Sequence, residues 1–304
     1  FATSDFAFLT YAPLLLLALA GFTKAAQFPF QSWLLGAMVA PTPTSALLHS
    51  STMVKAGVFL ILKLAPCLGF NMPGFIVMMV GGATFLFAAL AAISQTNAKR
   101  VLAYSTISNL GLIVACAGVG TSGAVWAATF LIIFHAAAKS LLFLCVGTAE
   151  HHIGSRDIES MDDLFERMPR LARLMAIGIM GMFVAPFGML ISKWAALSAF
   201  IGSGIMLLVI MLAIGSAATF FFWAKWIGKL CAQVGTRESI EASVTKTEWV
   251  SLTLMAVIAC VACVTLPIIS EDVVVPYLQS VPVFHDGTAT LAYGDLWISS
   301  IMAV

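Results

Sequence analysis

Apolar residues run along this chain in long blocks, each about the length an α-helix needs to cross a bilayer, roughly 20 mostly apolar residues. About eight such segments can be marked: Phe6–Val39, Thr44–Ala65, Pro73–Ser94, Lys99–Val119, Ala124–Ala149, Leu171–Phe200, Gly204–Leu230 and Trp249–Ile269. The first and sixth are too long for straight helices, and both carry breakers: Gly21 and Pro29 in the first, Gly181, Pro186 and Gly188 in the sixth. A break at membrane depth is tolerated only where the freed backbone groups meet protein or water, so two broken helices predict two polar cavities. The pattern predicts an all-α, polytopic membrane helix bundle with about eight transmembrane helices, two of them broken.

Composition agrees and removes the soluble classes. Across 304 residues, 61% are hydrophobic and 10% charged, with a mean hydropathy of +1.02; a soluble chain of this length does not look like that. The net charge of +1 gives no basic excess for nucleic acid. There is no P-loop, no dinucleotide-binding glycine fingerprint and no HExxH. The six cysteines lie mostly in apolar runs, and Cys260 and Cys263, the one CxxC pair, have no further ligands nearby in sequence. They read as packing residues. Phe1–Thr10 lacks the basic start and cleavage site of a signal peptide, and the chain reads as an excerpt of a longer polypeptide.

Loop charges give an orientation. Lys99 and Arg100 precede the fourth span, Arg156, Arg167, Arg170 and Arg173 fill the loop before the sixth, and Lys229, Arg237 and Lys246 follow the seventh. The alternate connections, around 68–72, 118–123 and 201–202, are uncharged. By the positive-inside rule the charged loops are cytoplasmic. Residues 1–269 are then expected to form a transmembrane domain, incomplete if the chain is an excerpt with its upstream helices absent, and 270–304 a C-terminal tail on the outer side or at the interface; the tail holds acidic residues and no Lys or Arg. The one long charged connector, 151–173, reads as a solvated loop or short surface helix, and its adjacent His151 and His152 as solvated. Lys63 reads as a snorkelling lysine. Lys225, in FFFWAKWIGK, reads as an anchor within an aromatic belt.

Charge inside the spans changes the picture most. Lys24, Lys55, Lys139 and Lys193 fall in span interiors, Lys24 and Lys193 beside the two breaks. Ionisable residues at such depth are costly and mark functional paths. His135 and Lys139, at i and i+4, share a helix face. Ser45, His49 and Thr52 share another, and Ser50, Ser51, Thr106, Ser108 and Asn109 could hold water. A file of Lys24, His49, Lys55, His135, Lys139 and Lys193 is the material of a proton relay, because a desolvated lysine can be neutral or charged according to its neighbours. No acidic residue lies deep in a span; Glu150 comes nearest, at a cytoplasmic end. Buried cations need partners, so the upstream sequence or a neighbouring subunit is expected to bring a membrane-embedded carboxylate to Lys24.

FTKAAQFPFQSWLLGAMVAPTPTSALLHSSTMVKAG (22–57) resembles the signature region of the antiporter-like membrane subunits of respiratory complex I, energy-converting membrane-bound hydrogenases and Mrp-type cation/proton antiporters. AKRVLAYSTISNLG and FHAAAKSLLFLCVG resemble the segments that follow, and the match runs to about Leu230. The resemblance implies two inverted repeats, each with a broken helix, of which this chain holds one and part of the other. By position, Lys24 matches a broken-helix lysine that pairs with a glutamate. His49 and Lys55 match polar positions of the next helix, His135 and Lys139 the central relay, and Lys193 the ionisable residue on the second broken helix. The family's exit lysine is often followed by an acidic residue; here Trp194 follows.

Within the family, TMVKAGV and APTPTSALLHSS lean towards the hydrogenase branch or the Mrp branch rather than the largest complex I subunit, and the energy-converting hydrogenase is the favoured expectation. The implied function is a proton-translocating, non-redox membrane subunit of a redox-driven pump in a prokaryotic cytoplasmic membrane. No cofactor is expected in this chain; iron–sulfur clusters and a nickel–iron centre are expected in partner subunits. The partners are other membrane subunits, a cytoplasmic redox arm and the lipid bilayer, with no nucleic acid. A Mrp-type Na+/H+ antiporter subunit and a structural membrane anchor are the alternatives.

Overall fold

The computed structural model describes residues 4–183, 188–232, 235 and 238–284, with side chains from Tyr11 onward. Its helices are α1 (Ser4–Lys24), α2 (Ser32–Gly36), α3 (Thr42–Ser50), α4 (Met53–Leu64), α5 (Met72–Ile93), α6 (Ala98–Val119), α7 (Ser122–Ile153), α8 (Leu164–Arg167), α9 (Pro169–Phe183), α10 (Gly188–Gly202), α11 (Met206–Cys231), α12 (Lys246–Val264), α13 (Leu266–Ile269) and α14 (Val275–Ser280). Among the described residues, seven stretches are long and apolar enough to cross a membrane: Thr42–Cys67, Met72–Ile93, Ala98–Val119, Ser122–Ile153, Pro169–Gly202, Met206–Cys231 and Lys246–Val264. The apolar helix Tyr11–Lys24 precedes them. The chain is the all-α polytopic bundle that its hydropathy predicts.

Helix ends fall where local chemistry puts them. Asn71, Asn97 and Thr121 accept from the backbone N–H groups of Gly74, Arg100 and Ala124, capping α5, α6 and α7. Thr245 and Glu248 form a reciprocal capping box on α12. Gly120 and Gly154 end α6 and α7 in left-handed backbone, at φ 67° and 79°.

The first break is as expected: α1 stops at Lys24, and the chain is irregular until α2. Pro186 and the centre of the second break lie outside the described residues, with α9 ending at Phe183 and α10 starting at Gly188. A further break, not expected from the sequence, splits the second span between α3 and α4. The hydroxyls of Ser51 and Thr52 donate to Leu47 O at 3.4 and 2.9 Å, and Ser50 donates to Ala46 O. Such side-chain bonds compete with the helix ladder. The break separates His49 from Lys55.

α6 is the central post: every residue but Arg100 and Tyr104 is buried. Small residues let its neighbours close in. A Cβ on Gly111 would lie 2.6 Å from Phe85 N of α5, and one on Gly57 would lie 2.6 Å from Ala25 N, just past α1. α7 packs on α3, α6, α9, α10 and α12, so its inner face is enclosed by five helices.

The charged connector is not a free loop. Ile158, Met161, Leu164 and Met168 are buried. Its backbone is tied down by Ala98 N to Arg156 O (2.8 Å), Ile158 N to Thr96 O (2.9 Å) and Asp163 N to Ala232 O (2.9 Å). Glu159 receives Lys229 at 2.5 Å and Lys225 at 3.6 Å. The aromatic-belt reading of FFFWAKWIGK needs correction too: Phe220 and Phe221 face outward, but Trp223 and Trp226 are fully buried. Past α12 the chain folds back, with Trp126 donating to Ser270 Oγ at 2.8 Å and Lys63 donating to Tyr277 OH at 3.2 Å. Lys63 is thus a contact to this segment rather than a free snorkelling lysine. Asp286 and Asp295 lie outside the described residues.

Candidate functional site

Part of the row expected from the sequence lies on and around α7. His135 and Lys139, one turn apart, are both fully buried. Lys139 Nζ donates to Leu102 O at 3.1 Å and to Ser105 Oγ, both on α6. Lys55, near the start of α4, is 6% exposed and lies close enough to His135 and Lys139 to interact electrostatically. His49, 1% exposed, sits against Phe143 of α7 with ring centroids 6.1 Å apart. Where α3 ends, Ser50 Oγ and Ser140 Oγ are 2.7 Å apart, which ties the His49 helix to the turn of α7 that carries Lys139.

The outer members of the row behave differently. Lys193 is buried on α10, which packs against α7, while the neighbouring Trp194 is 59% exposed. Lys24 ends α1 with its side chain exposed on the surface of this chain. Among the described residues no Asp or Glu forms an ion pair with Lys24, Lys55, Lys139 or Lys193. The structure therefore sets Lys55, His135 and Lys139 within electrostatic range of one another, places His49 against Phe143 one turn of α7 beyond Lys139, and leaves Lys24 at the periphery.

Several of these groups have no protein partner among the described residues: Lys55 Nζ, both ring nitrogens of His49 and of His135, Ser45 Oγ and Asn109 Oδ1. An unsatisfied buried polar group costs roughly 1–3 kcal/mol. Several along one seam fit an interior that holds water, which bridges such groups nearly as well as a direct bond. Thr42, Ser45 and His49 lie at i, i+3 and i+7 on the buried side of α3. They line a polar seam that runs towards the α3–α4 break.

At the charged-loop end this seam meets a cavity of about 650 Å³ between α3, α7 and α12, lined by Thr42, Gly147, Glu150, His151 and Glu248 among others. Here the sequence reading missed two residues. Lys99, a loop charge by its place in the sequence, is 1% exposed; its Nζ lies 3.0 Å from Glu150 Oε2 and donates to Ala40 O at 3.3 Å. Glu150 also accepts from Thr42 Oγ1 at 3.1 Å and from Arg156 Nε. The signal was present in the sequence: a lysine in the first turn of a helix opposes the helix dipole and calls for a compensating anion. His152 is likewise engaged, with Nδ1 2.9 Å from Ser243 Oγ and Nε2 3.8 Å from Glu248.

The α3–α7 bundle thus encloses Lys55, His135 and Lys139 within electrostatic range of one another, with His49 buried against Phe143.

Residues 5–220 match the sequence pattern of the NADH:quinone oxidoreductase/Mrp antiporter transmembrane family. An antiporter subunit of Staphylococcus aureus strain MRSA252, mnhA2, is 36% identical over 306 residues, covering 89% of this chain and 38% of that protein. The USA300 strain protein of the same name is 43% identical over 193 residues, 58% of this chain and 24% of that protein. The chain thus spans well under half the length of these curated relatives. Among solved structures, the Mrp complex from Dietzia sp. DQ12-45-1b matches with a TM-score of 0.81 and 30% identity, over 98% of this chain and 34% of that one. The membrane-bound sulfane sulfur reductase, an archaeal respiratory membrane complex, matches with a TM-score of 0.79 and 25% identity, over 89% and 56%. Sequence pattern, relatives and fold agree that this chain, an antiporter-like multi-pass membrane protein, belongs to the NADH:quinone oxidoreductase/Mrp antiporter transmembrane family.

Proposed function

We propose that this chain moves protons through the membrane along Lys55, His135 and Lys139, as part of a multisubunit cation/proton antiporter of the Mrp type. The observation that carries the reading is the burial of these three groups in one apolar core without an ion-paired carboxylate among the described residues. Charges left in that state are kept for a task, since packing alone is served by small residues and hydroxyls. His49 and the Thr42–Ser45 stripe are the input from the cavity beside Glu150, on the side the loop charges mark as cytoplasmic. Lys193 is the exit group. Lys24, exposed on this chain, pairs with a carboxylate supplied from outside it.

The antiporter subunits among the relatives, and the 98% coverage by the Mrp complex, favour this reading over a redox-driven one. The second reading is a proton-translocating subunit of a redox-driven pump, with iron–sulfur and nickel–iron centres in partner subunits; the likeness to an archaeal respiratory membrane complex keeps it open. The test is the intact complex in vesicles with an internal pH dye. A cation gradient that drives proton exchange without an electron donor, and exchange lost in Lys139→Ala, would support the antiporter. Exchange that starts only with an electron donor would favour the pump. Undiminished exchange in Lys139→Ala would reduce the row to a structural feature.

A further inference from the structure

Lys139, the most fully buried cation among the described residues, has an aromatic partner there rather than a carboxylate. Lys139 Nζ lies 4.9 Å from the centre of the Trp223 ring on α11. Trp223 is fully buried, and Trp226, also fully buried, stacks on it with centroids 5.6 Å apart and planes 16° apart. Phe222 packs against it as well, at 5.1 Å. The indole is therefore a fixed wall, not a mobile side chain. An ammonium has three N–H donors. Leu102 O and Ser105 Oγ take two of them from the α6 side, and the indole face lies within the roughly 6 Å range over which a ring quadrupole attracts a cation. The carbonyl of Leu102 is shared with Thr106 Oγ1 at 2.9 Å, which leaves it less to offer Lys139.

We propose that Trp223 is a positioning residue for Lys139: its indole face holds the ammonium in place while the lysine carries its proton, doing the work a carboxylate would do elsewhere. The proposal rests on Lys139 being a proton-carrying member of the row. The attraction exists only while Nζ is protonated, so Trp223 acts on one of the two states Lys139 must visit. A carboxylate at that distance would trap the cation; a ring holds it more weakly, and the proton can still be passed on. Trp226 has no charged neighbour of its own among the described interactions, and its part is to keep the Trp223 plane in position.

The test replaces Trp223, in the intact complex, with mono-, di- and trifluorinated tryptophan. These keep the size of the ring and progressively cancel the negative charge on its face. The logarithm of the proton-exchange rate should fall in step with the number of fluorines. The full loss should approach ~30-fold, the rate equivalent of the roughly 2 kcal/mol of a desolvated cation–π contact. Trp223→Phe should keep part of the rate and Trp223→Leu should lose it. A flat fluorine series would overturn the proposal, because a packing role depends on shape, which fluorination hardly alters. The 19F resonance of 5-fluorotryptophan at position 223 gives a readout independent of transport. It should move when Lys139 is changed to Met, and an unmoved resonance would count against the contact itself. If the resonance responds and the fluorine series is graded, the contact stands. If Lys139→Ala leaves exchange intact, the relay reading fails instead, whatever the resonance does.

Discussion

Replacing Glu150 by alanine would strand Lys99, which is 1% exposed, 3.0 Å from its carboxylate and, among the described residues, otherwise bound only to Ala40 O. Removing one partner of a buried pair typically costs about 3–5 kcal/mol, because the remaining charge is left desolvated. The reverse change should cost less. Lys99→Met keeps the aliphatic bulk, and Glu150, 21% exposed, retains Thr42 at 3.1 Å and Arg156. That loss should be nearer 1 kcal/mol, the net worth of an ordinary hydrogen bond. In Lys99→Met/Glu150→Ala the stranded charge is gone, and stability should return to within about 1–2 kcal/mol of the parent, so the two changes couple strongly. Thermal unfolding of the purified protein in detergent, followed by intrinsic fluorescence, would read this out. At about 2 °C per kcal/mol for a chain this large, Glu150→Ala should melt roughly 6–10 °C lower, with the double variant recovering most of the difference. A double variant no more stable than Glu150→Ala, or a Lys99→Met variant equally unstable, would refute the argument that burial of the lysine decides the cost.

A methyl group on Gly111 would meet the backbone of α5, 2.6 Å from Phe85 N, so Gly111→Ala should cost about 1–3 kcal/mol in the same melting assay. Gly123→Ala, with open space around it, should not. Trp126→Phe removes the buried 2.8 Å bond to Ser270 and leaves that hydroxyl unpaired; limited proteolysis should show the segment after α12 cut sooner, at a cost near 1–3 kcal/mol. The Lys229 ammonium bonded to Glu159, with Lys225 beside it, holds that carboxyl below its ordinary value. Its contribution is therefore present above the ordinary glutamate range and lost as pH falls through the folded value. Amide protection in 154–168, corrected for the intrinsic pH dependence of exchange, should fall at acid pH in the parent but change less with pH in Glu159→Gln.

How much of this was legible in the sequence depends on whether a property belongs to one residue or to a pair. The spans were legible, because transfer into a bilayer is a sum over single residues. So were the break after Lys24 and the burial of Lys55, His135, Lys139 and Lys193, since a charge inside a long apolar run has few other places to go. The α3–α4 break was not, because Ser50, Ser51 and Thr52 are individually compatible with helix and break it only through bonds back to Ala46 and Leu47. Lys99 was misplaced because its anion lies at the far end of the next helix, and the charged connector because its apolar residues find cover on α9 and α11, distant or later helices that no local pattern announces.

The sequence by itself determined an all-helical membrane bundle with cations and histidines inside it. Only the tertiary structure decided that Lys55 comes within electrostatic range of His135 and Lys139, that Lys24 faces out of this chain, and that Trp223 turns inward onto Lys139 instead of joining an interfacial belt. The reason is physical: hydropathy and helix period place a residue at a depth and on a face, whereas the sign and strength of an electrostatic or aromatic contact depend on which other helix closes over that face.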